Sequence, residues 1–192
     1  MKPNTRLVPL VPLFLLFGCS SKSPTDVHVE INETYSASFS RDKWRLVSFP
    51  LQPVYLNALL GQYLLPPDSI LVFSWESGQY RFRPDALYPG AGYWLYMENE
   101  DIAIHGNMSD FFQGESLKIV LRRGRNLIGN PFITDIDLPD ASLRYLYLPD
   151  SSAPSGAAGM ASAKLDTAAF MEPWKGYFVD LATDSLEIIL RK

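Results

Sequence analysis

Apolar and polar residues alternate with a period of two at residues 27–32, where Val27, Val29 and Ile31 are separated by polar residues, and again at residues 117–121. Because successive side chains of a strand point to opposite faces, this pattern predicts half-buried β-strands. Further strands are predicted at residues 35–39, 44–49, 70–75, 79–82, 93–97, 102–104, 117–121, 127–132, 143–148 and 186–190. Only residues 53–64 have helix-like spacing, which predicts one short helix covering an open end of a sheet.

Two sequence words occur twice. Residues 44–51 read WRLVSFPL and residues 125–132 read RNLIGNPF, with their prolines 81 positions apart. Residues 89–95 read PGAGYWL and residues 173–179 read PWKGYFV, with Gly92 and Gly176 84 positions apart. The chain is therefore predicted to be all-β, with two pseudo-repeats, 27–108 and 109–192, packed as a β-sandwich or barrel-like unit. Since the two offsets differ by three, the halves are expected to superpose with one small insertion.

The turn residues give more local predictions. Residues 76–78 read as a hairpin between two strands, and residues 124–126 as a turn before the second copy of the first word. Gly92 and Gly176 are expected either to need positive φ or to lie where packing comes close to the backbone. Residues 129–130, Gly-Asn, are expected to tolerate left-handed geometry before a proline that ends the strand.

The repeated words resemble a β-rich repeat of bacterial secreted and surface proteins, whose usual form is Trp-Asn-Leu-Ile-Gly-Asn-Pro followed by Gly-Tyr-Trp. The resemblance covers residues from about 34 to 192. Arg125 replaces the usual Trp in the second copy, and Ser48 and Phe49 replace Gly-Asn in the first. The resemblance implies an exported, non-enzymatic module, and it carries no catalytic residues over to this chain.

Residues 1–18 contain Lys2 and Arg6, then an apolar run too short to span a bilayer comfortably, and end at Gly18 before Cys19. This segment resembles a bacterial lipoprotein signal peptide, which implies cleavage before Cys19 and its lipidation. Two or three acyl chains anchor a protein durably, at about 0.8 kcal/mol per buried methylene. An ordinary secretory signal with a chance cysteine is the alternative. Residues 19–26 are predicted to form a flexible tether, and Ser20 after the cysteine favours the outer membrane over inner-membrane retention.

Charge and cysteine content exclude several classes of protein. The formal net charge is −4, and loss of residues 1–18 makes it −6. The densest basic cluster is Arg122, Arg123 and Arg125, too sparse for a phosphate backbone, so nucleic-acid binding is not expected. A single cysteine cannot form an internal disulfide or a multi-cysteine metal site. No cofactor is expected.

Candidate catalytic and metal-binding residues are few. His28 and His105 lack a neighbouring serine and carboxylate in the context of a catalytic triad. Two acidic clusters lack the spacing of a calcium loop, although they could offer oxygen ligands: Glu98, Glu100 and Asp101, and Asp135, Asp137 and Asp140. A glycosidase pair could be drawn from Glu76, Asp85, Glu98 or Glu172, but the sequence favours none of them.

Aromatic side chains are the strongest candidate ligand-binding residues. On a β-scaffold, rings with polar rims can stack on sugar faces, and the candidates are Trp75, Tyr80, Trp94, Trp174 and Tyr177. The competing explanation is that rings at repeat positions are packed in the core. The residues 150–163 are predicted to form a loop that could add polar contacts.

The sequence therefore predicts a lipid-anchored protein of the bacterial cell envelope or surface, with a non-enzymatic adhesion, scaffold or binding role. Its expected partners are the membrane, through Cys19, and a glycan or another envelope protein. A carbohydrate- or peptidoglycan-binding lipoprotein is the first alternative, and an envelope hydrolase is a distant one.

Overall fold

The computed structural model describes residues 34–62, 70–98, 101–107, 110–149, 160 and 163–192, and for residues 34–36, 61, 62, 102 and 105–107 it describes the backbone alone. The predicted signal peptide, tether and first strand lie outside the described residues, as does most of the predicted loop at 150–163. The described chain is all-β with one short helix, and its sheets are antiparallel. Within the described residues no sheet closes into a barrel.

The first half contains eight strands and the helix. The elements are β1 (Thr34–Phe39), β2 (Arg45–Ser48), β3 (Val54–Tyr55), α1 (Leu56–Gln62), β4 (Ile70–Glu76), β5 (Gln79–Phe82), β6 (Ala86–Leu87), β7 (Gly92–Met97) and β8 (Ile102–Asn107). A four-stranded sheet has the order β2-β7-β4-β5, and β1-β8 and β3-β6 form separate pairs. The helix begins later than the sequence predicts because residues 54–55 pair with β6 instead.

The second half contains six strands, two of them long. They are β9 (Ser116–Gly129), β10 (Ile136–Asp137), β11 (Tyr145–Tyr147), β12 (Asp166–Thr167), β13 (Phe170–Met171) and β14 (Gly176–Arg191). Its four-stranded sheet has the order β12-β11-β14-β9, and β10 pairs with β13. This is the order of the first half, with β9 replacing β1 and β2 and β14 replacing β7 and β8.

The pairing registers of the two halves correspond residue by residue. Ser48 lies opposite Gly92 on β2 and β7, and Gly129 lies opposite Gly176 on β9 and β14. The outer pairs agree as well, since Phe39 lies opposite Ile102 as residue 121 lies opposite residue 186. The two copies of the sequence words therefore occupy equivalent places in the fold, which confirms the two pseudo-repeats.

The prediction of one small insertion is wrong. Val72 pairs with Leu95 as Tyr145 pairs with Val179, so these strands are equivalent. From Ser48 to Val72 the first half has 24 residues, whereas the second has 16 from 129 to 145 and no helix there. Between β4 and β5 the first half has a two-residue turn, and the second has residues 148–165 in that place. The second half therefore has one shorter and one longer connection, and their effects on the sequence offset between the two copies nearly cancel.

Three cores stack through the molecule. The first outer core lies on one face of the β2-β7-β4-β5 sheet and contains apolar side chains of α1, including Leu56 and Leu59. The second outer core lies on the matching face of the other sheet. The central core lies between the sheets and takes Leu46 and Trp94 from the first, and Leu127 and Phe178 from the second. Strand β7 is buried on both faces, so its apolar run is nearly continuous, and the packing is sandwich-like.

The two halves are hydrogen-bonded to each other about a pseudo-twofold axis. The Ser48 amide donates to the carbonyl of Trp174 (3.1 Å), and the Gly129 amide donates to the carbonyl of Gly90 (2.9 Å). Residues 48 and 129 are equivalent, and so are 90 and 174. Reciprocal contacts of this kind are those of an isologous interface, here formed within one chain.

Glycines allow the halves to approach at this axis. A Cβ at Gly92 would lie 2.5 Å from the carbonyl oxygen of Ile128, and one at Gly176 would lie 2.8 Å from that of Val47. Neither glycine has positive φ. Close approach to the backbone is therefore the reason for glycine at both positions.

Two predicted local features are absent from the described residues. Residues 124–126 make no turn, because β9 continues through them with an irregularity opposite residues 182–184. Gly124 has φ of 87°, and the Asn126 side chain accepts from the Arg122 amide (2.8 Å) and donates to the Arg122 carbonyl (2.7 Å). The irregularity is thus a β-bulge whose extra residues, 182–184, lie on β14, and β9 continues past it as one strand. Strand β14 also continues through the irregularity, so residues 186–190, predicted as a separate strand, form its C-terminal part.

The second absent feature is left-handed geometry at residues 129–130, neither of which has positive φ. Asn130 is fully buried instead. Its side-chain amide donates to the carbonyls of Thr134 and Met171, each at 2.8 Å, and its side-chain oxygen accepts from the Phe132 amide. Burial is tolerated because these hydrogen bonds satisfy the amide.

Candidate functional site

The five aromatic candidates divide by exposure. Trp94 and Tyr177 are each 1% exposed, so neither ring can stack on a ligand at the surface, and both belong to the cores. Trp174 is half-buried and packs edge-on against Phe39 (6.3 Å between ring centroids). Trp75 is half-buried and Tyr80 is 38% exposed. Three of the five therefore keep some exposed area, and of these Trp75 and Tyr80 lie together on one surface with Phe82, which is 50% exposed.

These three rings lie on the hairpin formed by β4 and β5. Ser77 and Gly78 form its turn with φ of 51° and 85°, which is the sign pattern of a type I′ turn. Trp75 lies opposite Tyr80 in the ladder, and their rings meet edge-on with centroids 4.6 Å apart. Strand β5 forms the edge of its sheet, and all four of its residues are exposed. The hairpin thus displays aromatic rings on an edge strand.

The other half fixes the orientation of Trp75. Its indole N–H donates to the backbone carbonyl of Arg125 on β9 (2.6 Å). Its ring also lies edge-on to Phe178, with centroids 6.5 Å apart. The side chain is therefore held before any ligand arrives, which lowers the entropy cost of using it in recognition.

A groove of about 830 Å³ runs between this hairpin and the edge of β9. We call it the hairpin groove. It is lined by the hairpin residues 75–78, the turn residues 89–91, and β9 from Ile119 to Ile128. Its volume lies within the range of small-molecule and saccharide sites.

The hairpin groove is basic, although the chain as a whole is acidic. Three arginines line it, at 122, 123 and 125, with one carboxylate, Glu76, whereas the chain has a formal net charge of −4. Arg125 is bound at both ends of its guanidinium by Asp180 (3.1 and 3.2 Å) and lies 5.0 Å from the centroid of the Phe178 ring. The hydrogen bond to Asp180 is the main reason why the pKa of Arg125 is raised.

The other two arginines are available to a ligand. Arg123 is 3.7 Å from Asp184, and both side chains are largely exposed, so this ion pair is weak. Within the described part of the chain, the Arg122 side chain makes no hydrogen bond or ion pair; only its backbone is engaged, with Asn126. The arginines were visible in the sequence, but their position beside Trp75 was not.

The turn that lines the hairpin groove differs from its equivalent in the other half. Gly90 and Trp174 are equivalent residues, both with positive φ (80° and 65°). Trp174 covers the first outer core beside Phe39, which is equivalent to Leu121 of β9. Gly90 carries no side chain over β9, and a methyl carbon of Leu117 would lie 2.4 Å from its Cβ. Comparison of the two repeats, PGAGY with PWKGY, is the sequence signal that could have located this difference.

A smaller cleft, of about 190 Å³, contains two of the glycosidase candidates, Glu76 and Asp85. Arg81 lies between them, with its guanidinium 3.4 Å from Glu76 and 2.8 Å from Asp85. The pKa of Arg81 is raised, first by its hydrogen bond to Glu76. The two carboxylates share one cation, an arrangement that also holds the hairpin to the β5–β6 connection. Glu98 and Glu172 do not line this cleft.

Other predicted site residues are placed as follows. Asp135, Asp137 and Asp140 line a groove of about 730 Å³ beside Glu187 and Arg191. Among the described residues, no group of three or more His, Cys, Asp or Glu side chains is positioned to hold a metal ion. Cys19, His28, Glu100 and the His105 side chain lie outside the described residues. Over the same described ranges, no helix has the length and apolarity needed to span a membrane.

Comparison with known proteins gives no relative: no family model, curated protein or solved structure matches the chain. The resemblances to a lipoprotein signal and to the β-repeat thus stay predictions from the residues quoted above.

Proposed function

We propose that this protein is a lipid-anchored β-module of the bacterial cell envelope or surface with a non-enzymatic binding role. Residues 1–18 and Cys19 support the anchor, and Ser20 supports placement at the outer membrane. The observation that carries the binding role is the hairpin groove, where the fixed, half-buried ring of Trp75 lies beside arginines on an otherwise acidic chain.

The residues that match between the two copies and the residues that differ have different roles, which supports this proposal. Residues that match between the copies, such as Gly92 and Tyr93 with Gly176 and Tyr177, are used in the cores and at the pseudo-twofold axis. The groove depends on residues that differ, above all Gly90 where the other half has Trp174.

Carbohydrate or peptidoglycan binding is the second candidate, and exposure of Tyr80 and Phe82 favours it. Aromatic rings on a rigid β-hairpin offer flat apolar surfaces with polar groups beside them, as saccharide recognition requires. In a scaffold role, a protein partner would instead add a strand to the edge strand β5 through backbone hydrogen bonds.

The anchor is tested by labelled fatty acid. We expect the wild-type protein to incorporate radiolabelled palmitate in bacteria and the Cys19→Ala variant to incorporate none, because the cysteine sulfur is the acylation site. A Ser20→Ala variant is the control for a change at the cleavage site. Equal labelling of Cys19→Ala and wild type would show that the anchor is absent.

Ligand binding is tested with the soluble chain from residue 20 onward on a glycan array and on purified peptidoglycan sacculi. Tyr80→Ala and Phe82→Ala should weaken binding about tenfold, equivalent to about 1.4 kcal/mol. Phe170→Ala removes a ring of similar exposure, 43%, from β13 and should have no effect. Binding that survives both hairpin substitutions would place the ligand elsewhere, and silence on every glycan and on sacculi would leave a protein partner as the ligand.

A further inference from the structure

We infer that the hairpin groove is a binding site for an anionic saccharide, with Trp75 stacking on a sugar ring and Arg122 and Arg123 binding its acidic group. This inference rests on the saccharide-binding candidate above and adds the charge of the ligand. It assigns specificity to residues that do not take part in the repeat motif.

The ring side of the groove is preformed. Trp75 is fixed by its hydrogen bond to the Arg125 carbonyl and by edge-on contacts with Tyr80 and Phe178. Because its N–H is already used, the indole offers a ligand its ring rather than a donor. A sugar ring presents C–H groups to such a face, and these are attracted to the negative potential above it.

The charges of the side chains that line the groove indicate that the ligand carries an acidic group. Among the lining residues, Glu76 already pairs with Arg81 (3.4 Å), and Arg125 already pairs with Asp180. Arg122 is unpaired within the described residues, and Arg123 has only a distant, exposed partner, Asp184. Guanidinium groups bind carboxylate, sulfate and phosphate through two parallel hydrogen bonds. Two such groups on one strand therefore select for negative charge.

The asymmetry of the duplication shows why the groove is open. At the equivalent place Trp174 lies over the first outer core and contacts Phe39 and Phe111. At Gly90 even a Cβ would lie 2.4 Å from a methyl carbon of Leu117, so a side chain at this position would need Leu117 to move. Glycine keeps the floor of the groove at the level of the backbone.

The test uses a panel of probes and one pair of charge variants. The probes are oligogalacturonate, its methyl ester, heparan sulfate fragments, their desulfated and carboxyl-reduced forms with acetylated amines, and poly-glutamate. We expect one of the acidic saccharides to bind about tenfold more tightly than its neutral counterpart. Its affinity should fall as salt rises from 20 to 500 mM, because exposed charges are screened.

Arg122→Gln with Arg123→Gln should remove the preference for the acidic saccharide, and circular dichroism should show an unchanged fold. Arg144→Gln with Arg191→Gln removes the same charge outside the groove and should leave the preference intact. Tyr80→Ala should lower the affinity for the acidic and the neutral saccharide by the same factor.

Four outcomes are possible. Loss of the acidic preference in the Arg122 and Arg123 variant supports the inference. Equal binding of acidic and neutral forms overturns it but leaves saccharide binding standing. Poly-glutamate competing as well as the sugar shows a nonspecific anion site and overturns the saccharide assignment. If no saccharide binds, both the inference and the carbohydrate candidate fail, whereas the lipid anchor is unaffected.

Discussion

Position 48 and its equivalent, position 129, show how single residues adapt a duplicated fold. The side chain of Ser48 lies at the pseudo-twofold axis, and its hydroxyl donates to the Asn130 carbonyl (3.2 Å). A Cβ on Gly129 would lie 2.2 Å from the Cβ of Ser48, a distance that real atoms do not reach. The axis has room for one of the two side chains, so the two copies had to differ here.

This leads to a prediction at the residue scale. Gly129→Ser should destabilise the protein by about 2 kcal/mol or more, because overpacking forces the backbone to move. The double variant Ser48→Gly with Gly129→Ser returns a single side chain to the axis and should recover at least about 1 kcal/mol. Urea unfolding of the wild type, the single variants Ser48→Gly and Gly129→Ser, and the double variant measures this coupling.

Gly124→Ala is the control, since nothing lies within 4 Å of its Cβ and its only cost is the left-handed backbone, about 1 kcal/mol. Additive effects of the two substitutions at the axis would contradict the packing of Ser48 against Gly129.

The cross-strand pair at the start of β2 and β7 shows a second substitution between the copies. Trp44 packs on Tyr96 (5.1 Å between ring centroids), and the equivalent residues are Arg125 and Asp180, which form an ion pair. Arg125 still covers a central-core ring, that of Phe178, as Trp44 covers Trp94. Replacement of the usual Trp by Arg125 therefore keeps the central core covered, but places a charged, solvent-exposed side chain at one end of that core.

At the scale of elements, a tyrosine hydroxyl holds the turn before each central strand. The Tyr93 hydroxyl accepts from the Tyr88 amide (2.8 Å), and the Tyr177 hydroxyl accepts from the Glu172 amide (2.7 Å). These bonds are equivalent in the two repeats. Each links the residue before a turn to the strand that follows it, and so fixes where β7 and β14 begin.

We expect these tyrosines to make the fold sensitive to base. Burial raises the pKa of Tyr93 to about 12, and burial likewise raises the pKa of Tyr177. An unfolded tyrosine loses its proton near pH 10, so between pH 10 and 12 the unfolded state binds fewer protons than the folded state, and stability falls as pH rises. The loss from Tyr93 amounts to about 3 kcal/mol at most.

Tyr93→Phe should cost about 1–2 kcal/mol at pH 8, because the Tyr88 amide loses its acceptor, and should flatten the decline above pH 10. Urea unfolding from pH 8 to 11 measures both effects. Tyr55→Phe, at a tyrosine that is 72% exposed, controls for loss of a hydroxyl. An unchanged alkaline slope in Tyr93→Phe would refute the assignment.

At the scale of the whole molecule, each half completes the core of the other. The first outer core is covered by Trp174 and Phe111, which come from residues 109–192. The central core takes side chains from both sheets. Each half by itself would expose part of its hydrophobic core. The two repeats therefore form one cooperative unit, although each has its own sheet.

The corresponding prediction is that the fragments 27–108 and 109–192 fail to unfold cooperatively when studied alone, since each exposes half of the central core. Mixed, they should associate and regain a single transition in urea with the circular dichroism of the intact chain. Trp174→Ala in the second fragment should weaken the association, and Phe170→Ala, an exposed residue of the same fragment, should not. Cooperative unfolding of either fragment alone would show that the halves are independent domains.

The sequence by itself determined the class of fold, the two repeats and the hairpin at residues 76–78, because strand-forming residues and the spacing of Pro and Gly are local signals. It also determined that Gly92 and Gly176 are special, without choosing between positive φ and close approach. Residues 124–126 look like a turn in the sequence because a glycine with positive φ suits both a turn and a strand irregularity, and only the long partner strand distinguishes the two.

Only the tertiary structure decided which aromatic rings are surface residues. Trp75 and Trp94 are both strand residues in apolar runs, but Trp94 lies on a strand covered on both sides, and Trp75 lies beside an edge strand. Strand order and burial depend on contacts between residues far apart in the chain, which a single sequence does not encode locally. The groove beside Trp75 likewise arises from the approach of two halves, so it became visible only when both were folded together.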